Sequence, residues 1–296
     1  MVVMRGWWQD LTDLVLPADC AGCGAPRTAL CPRCRATLDA GVPRRVRPVP
    51  EPAGLPVVNA VAPYAAEVRA LLLAHKERGA LLLAGVLGTA LAGAVRVGLG
   101  EGGAGSVVGA GPAGAPGRGP VLLVPVPSSR WAVRARGHDP VRRMALAAAG
   151  ELRRTGTPAR VAAVLRQRRA VADQAGLDAR RRLENLAGAL EVGPGGGRLL
   201  GSGRVVLVDD LMTTGASLAE AARALREAAV SRREGGSAVY EAITREGREE
   251  RRIDVRRERR EWVHGAPEKA APNVLGRVLH AAVIAAPRDS FEIARN

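Results

Sequence analysis

Aromatic side chains are almost missing from this chain of 296 residues: Phe, Trp and Tyr together make up 2% of it. Readers of single-stranded nucleic acid stack bases on aromatic faces, so the scarcity argues against one. The composition is nevertheless 47% hydrophobic, which permits a sizeable core built from Val, Leu and Ala. Long apolar runs are also lacking. The longest uncharged stretch, Gly79–Val95, falls just short of a bilayer span and reads as a buried helix. No secretory signal is evident, because Arg5, Asp10 and Asp13 break up the N-terminus. A cytoplasmic protein without a membrane span is the expectation. The loop GxxxxGK[ST] is absent as well, which removes a P-loop reading of any acid pair in the chain.

Acidic residues are the scarcer charge, 29 against 44 basic ones, for a net charge of +15. The excess is local. Between Arg130 and Arg182 stand 14 arginines and four acids, a net +10. Such a field suits a polyanionic ligand, either nucleic acid or a small phosphorylated metabolite. The plainer alternative is an arginine-rich bias with solvated side chains.

Cysteine is confined to the first 34 residues, as Cys20-Ala-Gly-Cys23 and Cys31-Pro-Arg-Cys34. Two such pairs seven residues apart can surround one tetrahedral Zn²⁺. Gly22 and Gly24 permit the tight turns this needs. Disulfides fit poorly with a chain that shows no export signal, and a redox motif would need one pair rather than two. Four protein ligands leave no open coordination position, so the expected site is structural.

Along the chain, residues 1–19 read as a short amphipathic helix, and Gly41–Leu55 as a linker rich in Pro and Arg. Strands are expected at Val57–Tyr64, Pro120–Pro127, Arg160–Arg166, Val205–Val208 and Val278–Ala285. Helices are expected at Glu67–Arg78, Ala80–Val95, Val141–Arg154 and Leu218–Ala229, with helical character over Ala170–Leu190. Gly98–Gly119, rich in Gly, Ala and Pro, reads as a flexible loop. Strands alternating with helices imply an α/β fold with an open parallel sheet. The division expected is 1–44 for the N-terminal helix and cysteine knuckle, 57–231 plus 274–296 for the main domain, and 232–273 for a charged insertion, disordered or a solvated helix. Within that insertion, Thr244–Glu261 has 14 charged residues in 18.

The segment VVLVDDLMTTGAS, Val205–Ser217, carries the most chemistry. An apolar strand ending in Asp209 and Asp210 places both acids at the carboxyl edge of a parallel sheet, where open α/β sheets bind ligands. The turn that follows delivers backbone N–H groups and hydroxyls at a helix N-terminus, a cradle for phosphate. Gly215 allows a backbone conformation other residues resist. Ser217 and Glu220 also match a capping box, S-x-x-E. Acids above a phosphate cradle suit a sugar phosphate, with the carboxylates accepting from ribose hydroxyls.

This segment resembles the 5-phosphoribosyl-1-pyrophosphate (PRPP) motif of type I phosphoribosyltransferases. With the cysteine knuckle, VPVPSSRWAVRARGHDP and DQAGLDARRRLENLAGAL, the chain resembles the ComF family over residues 10–231 and 275–287. It departs from the family at Arg136-Gly137-His138-Asp139-Pro140, where Arg-Gly-Phe-Asn-Gln is usual. The resemblance implies a type I phosphoribosyltransferase-like sheet with a small N-terminal zinc knuckle. It implies a Mg²⁺-assisted transferase that moves a phosphoribosyl group between PRPP and a nucleobase-like acceptor. On it, Asp209 and Asp210 orient the ribose, and Met212, Thr213, Thr214, Gly215, Ala216 and Ser217 bind the 5′-phosphate. Ser128, Ser129 and Arg130 are the candidates for the pyrophosphate, and Arg134 and Arg136 for neutralising the leaving group. Lys76 and His138 are further candidates, with a solvated loop histidine as the plainer reading of His138. The alternative implied function is a non-catalytic PRPP- or nucleotide-binding accessory protein in DNA uptake (competence), with DNA or an uptake protein as partner. A homo-oligomer is compatible with either.

Overall fold

Alternate side chains of the apolar runs enter two different cores, which is why those runs show no polar period. Val121 and Leu123 join one buried cluster, Leu122 and Val124 the other. Val206 and Val208 part from Leu207 in the same way, and Ala282 and Ile284 from Ala281 and Val283. The computed structural model of the protein describes residues 19–39, 41–100, 119–169, 171, 178–243 and 279–291, with backbone alone at 130, 179 and 232–243.

The elements run α1 (Pro32–Asp39), β1 (Arg44–Val46), β2 (Val57–Pro63), α2 (Ala66–Glu77), α3 (Leu83–Gly98), β3 (Val121–Pro125), α4 (Arg130–Arg136) and α5 (Pro140–Arg154). Then follow β4 (Ala159–Val161), β5 (Leu165–Gln167), α6 (Ala179–Leu186), β6 (Leu190–Val192), α7 (Gly196–Leu200), β7 (Arg204–Leu211), α8 (Ala216–Ile243) and β8 (His280–Ala286). Six strands form one sheet in the order β1-β2-β8-β7-β3-β4. β1 is antiparallel at one edge, and the other pairings are parallel. β5 and β6 make a separate antiparallel pair. Helices α2, α3 and α5 bury their apolar stripes on one face and α8 on the other. The architecture is therefore mixed α/β, a mainly parallel sheet flanked by helices.

The cysteine cluster is part of this body. Cys20, Cys31, Cys34 and Leu38 share one buried cluster with Leu71, Leu72 and Leu87. Burying each of those leucines contributes roughly 1.5–3 kcal/mol, so the knuckle and α2 support one another.

Several expected elements shift. The strand expected at Arg160–Arg166 divides into β4 and β5, which lie in different sheets. The loop expected after Pro127 contains α4, opened by Ser129, whose hydroxyl accepts from the Ala132 amide at 3.2 Å. Gly41–Leu55 is more than a linker: it supplies β1, and Arg226 donates to the Gly54 carbonyl at 2.9 Å. α8 continues through residue 243, so the insertion begins as helix. The N-terminal amphipathic helix, most of Gly98–Gly119, Asp173 to Leu177 and the charged segment Thr244–Glu261 lie outside the described residues. Among the described residues, no helix is long and apolar enough to cross a membrane; Gly79–Val95 falls largely within the buried helix α3.

Candidate functional site

The carboxyl ends of β3, β7 and β8 lie side by side. Pro125 is in register with Val208, the Val126 amide donates to the Val208 carbonyl at 2.9 Å, and Asp209 is in register with Val283. The strand carries both acids to this edge inside β7, not just beyond it. Successive side chains point to opposite faces. Asp210 therefore faces the side of α2, and Asp209 the side of α8.

Both acids are buried. Lys76, on the last turn of α2, donates to Asp210 Oδ2 at 2.7 Å. The Asp210 amide donates to Asp209 Oδ1 at 2.8 Å. Burial, then the neighbouring Asp210 charge, pushes the Asp209 carboxyl well above the usual carboxylate range, against the pull of Lys76. Burial works against the Lys76 charge, yet Asp210 and Asp209 outweigh it and hold its pKa above the ordinary value. The edge therefore holds two carboxyls and one ammonium, poised to exchange protons and hydrogen bonds with a polar ligand.

The turn after β7 is tied down at both ends. Met212 is buried and its amide donates to the Ala285 carbonyl at 3.0 Å. Gly215 takes φ 77°, and a Cβ there would meet Leu55 at 3.0 Å and Pro48 at 3.3 Å. Both demands select glycine. Ala216 begins a helix of 28 residues, whose first-turn amides have no acceptor within the helix. The Thr214 hydroxyl accepts from the Ala216 amide at 3.5 Å, and Thr213 stands exposed. Arg182, from α6, donates to the Thr213 hydroxyl at 3.4 Å. The capping box is not used as expected: Glu220 accepts from the Leu190 amide at 2.9 Å and pairs with Arg223 at 2.8 Å. Ser217 stands half-buried in the first turn.

The loop after β3 meets the same edge, with Ser128 and Ser129 half-buried. Ser129 caps α4, and Arg130 opens that helix. Arg134 is exposed, whereas Arg136 makes two bonds to Glu77, at 2.9 and 2.8 Å. A cleft of about 380 Å³ lies between the end of α2 and α4, lined by Glu77, Arg78, Trp131 and Arg136. His138 is buried rather than solvated. Its ring nitrogens stand 3.1 Å from the Arg136 carbonyl and 3.2 Å from that of His75. Asp139 accepts from the Arg142 amide at 3.0 Å and caps α5, with Pro140 in the first turn. His138, Asp139 and Pro140 thus serve as a buried link and a helix start.

The arginine-rich stretch is partly neutralised within the fold. Arg136, Arg154, Arg166, Arg180 and Arg181 each pair with a carboxylate. Exposed pairs of this kind contribute little to stability, but they reduce the free positive field.

Beside the site's supporting helix α2, the four cysteine sulfurs lie within 4.8 Å of one another. No two are joined in a disulfide. Cys23 Sγ and Cys31 Sγ are 3.5 Å apart, close to the ~3.8 Å edge of a tetrahedron with 2.3 Å metal–sulfur bonds. Burial raises the Cys20 thiol, but amides of Cys31, Cys23 and Gly22 outweigh it and bring it down to about 6. Burial, then the neighbouring thiols Cys23, Cys31 and Cys20, pushes Cys34 up. A cation relieves that crowding, and the donor set fits a metal. A Cβ on Gly22 would come within 2.7 Å of Cys34 Sγ, so glycine is needed there.

No protein-family model matches the chain, and no curated protein matches it.

Sequence reasoning brings together Asp209, Asp210 and the Met212–Ser217 turn, and the structure places them at one edge. It leaves Lys76 as a marginal candidate and gives Arg182 no role. Both reach the site from elements distant in sequence, where no local pattern marks them.

Proposed function

We propose that this chain is a phosphoribosyltransferase-like protein of the ComF type that binds PRPP. It transfers the phosphoribosyl group to or from a nucleobase-like acceptor. The observation that carries this reading is the pairing of two buried acids with a glycine-bent hydroxyl turn at the start of a long helix, on one sheet edge. On this reading the edge takes a ribose 5-phosphate by both ends. Its phosphate takes the first-turn amides of α8 and the Thr213, Thr214 and Ser217 hydroxyls, with Arg182 alongside. Its ribose hydroxyls donate to Asp209 and Asp210.

With the ligand held this way, the acids stand where positive charge develops at C1 as pyrophosphate departs, and charge placement of this kind lowers the barrier. Ser128 and Ser129 on the neighbouring strand end, with Arg130 and Arg134, meet the pyrophosphate. Arg136 is the weaker candidate for that task, because Glu77 already holds it. Asp209 and Asp210 are oxygen donors of the type Mg²⁺ prefers, and the ion would supply charge neutralisation for the departing pyrophosphate. The cysteine site holds Zn²⁺ as a structural ion, through Cys20, Cys23, Cys31 and Cys34.

A binding-only reading, with a role in DNA uptake, draws support from the loop at Arg136–Pro140. His138 and Asp139 are spent on internal hydrogen bonds. Pyrophosphate release separates the two. PRPP and Mg²⁺ with a panel of free nucleobases yield pyrophosphate if the chain is a transferase. Binding of PRPP with no release from any base supports the accessory reading, and salt-dependent binding of duplex DNA adds to it.

A further inference from the structure

Lys76 and Asp210 are joined although 134 residues separate them, and the ammonium is the more accessible partner, with 33% of the Lys76 side chain exposed against 7% of Asp210. The residues on either side of Lys76 are anchored. His75 Nε2 lies 3.2 Å from the Pro140 carbonyl, and Glu77 holds Arg136. The backbone at 75–77 is thereby pinned, while the four-carbon stem of Lys76 remains the movable part.

The choice of lysine is informative. Only two of the chain's 44 basic residues are lysine, Lys76 and Lys269. A chain that uses arginine almost everywhere has at this acid pair a lysine, a cation that does not clamp a carboxylate with a planar fork. Lysine is a compact charge with rotatable donors, able to pass from one anion to another.

We propose that Lys76 makes the site select ligands with an anionic group at C1: its ammonium holds Asp210 until ribose hydroxyls take that carboxylate, and then passes to the pyrophosphate. This rests on the phosphoribosyl reading above and adds the residue that sets selectivity within it. A ribose 5-phosphate without the C1 anion must displace the ammonium and give it no new partner. The displaced charge and the loss of a partly buried ion pair then oppose binding. PRPP supplies the partner, so the exchange is balanced. Lys76 is a positioning and selectivity residue on this account, and no bond to it forms or breaks covalently.

The test is calorimetric titration of the zinc-loaded 296-residue protein with PRPP and with ribose 5-phosphate, each with Mg²⁺, in wild type and Lys76→Met. The expected result is a preference for PRPP in the wild type that shrinks by about tenfold or more in the variant, the worth of one charge-assisted contact. The loss falls on PRPP, while ribose 5-phosphate binding stays within about threefold or tightens. A preference that stays within about threefold of wild type, even if both affinities fall together, overturns the proposal, because Lys76 then only holds Asp210 in place. Wild type that binds neither ligand overturns the phosphoribosyl reading itself, and this inference with it. A second measurement needs no variant. Acetylation of Lys76 in the wild type, read by mass spectrometry against Lys269, slows with PRPP and accelerates with ribose 5-phosphate. Equal rates with the two ligands contradict the transfer of the ammonium.

Discussion

The Lys76 ammonium meets Asp210 Oδ2 at 2.7 Å, and Asp210 in turn stands beside an Asp209 carboxyl that the fold holds above its usual pKa. Burial is the first cause of that rise and the Asp210 charge the second. The consequence for stability has a definite sign. A raised carboxyl contributes fully below its unfolded pKa of about 3.9, and the contribution is lost as pH rises through the folded value. Asp209→Asn keeps the oxygen that accepts from the Asp210 amide and removes the charge. Its Tm is expected to exceed wild type by roughly 2–6 °C at pH 8, with the gap closing towards pH 4. Melting curves across that range check it; a gap independent of pH contradicts it.

The cysteine cluster gives a second expectation. Cys20, Cys31 and Cys34 share a buried cluster with Leu71, Leu72 and Leu87, so metal loss is felt in α2. One mole of zinc per mole of protein is expected by elemental analysis. Stripping it with a strong chelator should lower Tm by about 10 °C, since a tightly held ion adds ~4 kcal/mol or more to the folded state. Cys34→Ser should behave like the stripped protein.

Glu220 tests a structural role apart from the ligand edge. Its buried carboxylate satisfies the Leu190 amide and the Arg223 guanidinium, whose pKa it raises. Glu220→Ala leaves the Leu190 amide without its acceptor, while Arg223 keeps Glu227 and the Leu190 carbonyl, and is expected to cost about 1–3 kcal/mol. Denaturant melts measure this. PRPP affinity of the folded fraction should be unchanged.

Gly215 couples backbone to binding. Its φ of 77° disfavours any side chain, and a Cβ there would press on Leu55 and Pro48. Gly215→Ala is expected to cost about 1–2 kcal/mol of stability and to weaken PRPP binding, because the turn that presents the amides must shift. An alanine variant that binds PRPP like wild type places the phosphate elsewhere.

Much of the edge was legible in the sequence, for a physical reason. The strand, its two acids, the bent turn and the helix that follows are contiguous, so local pattern alone assembles them. The β3 strand was equally plain, since burial on both faces makes its run wholly apolar. Other features had weak or conflicting signals. α4 is seven residues of mixed arginine and alanine with an exposed Trp131, and it shows no apolar stripe; Ser129 as its cap was the readable cue. β1 is three residues, Arg-Arg-Val, too short for alternation to register. His138 looked solvated because the burial comes from α2, whose His75 carbonyl reaches across 63 residues. The Ser217–Glu220 pattern fitted a cap, but β6 offers Glu220 a buried amide and Arg223 a charge, and these prevail.

The central claim, that this sheet edge binds a phosphoribosyl pyrophosphate, is tested most directly by titrating PRPP with and without Mg²⁺ into wild type and into Asp209→Ala/Asp210→Ala. The account predicts magnesium-dependent binding by the wild type, weakened about a hundredfold in the variant, from two charge-assisted hydrogen bonds at ~1.5 kcal/mol each. Undiminished binding in a folded variant, or no binding by zinc-loaded wild type, contradicts it.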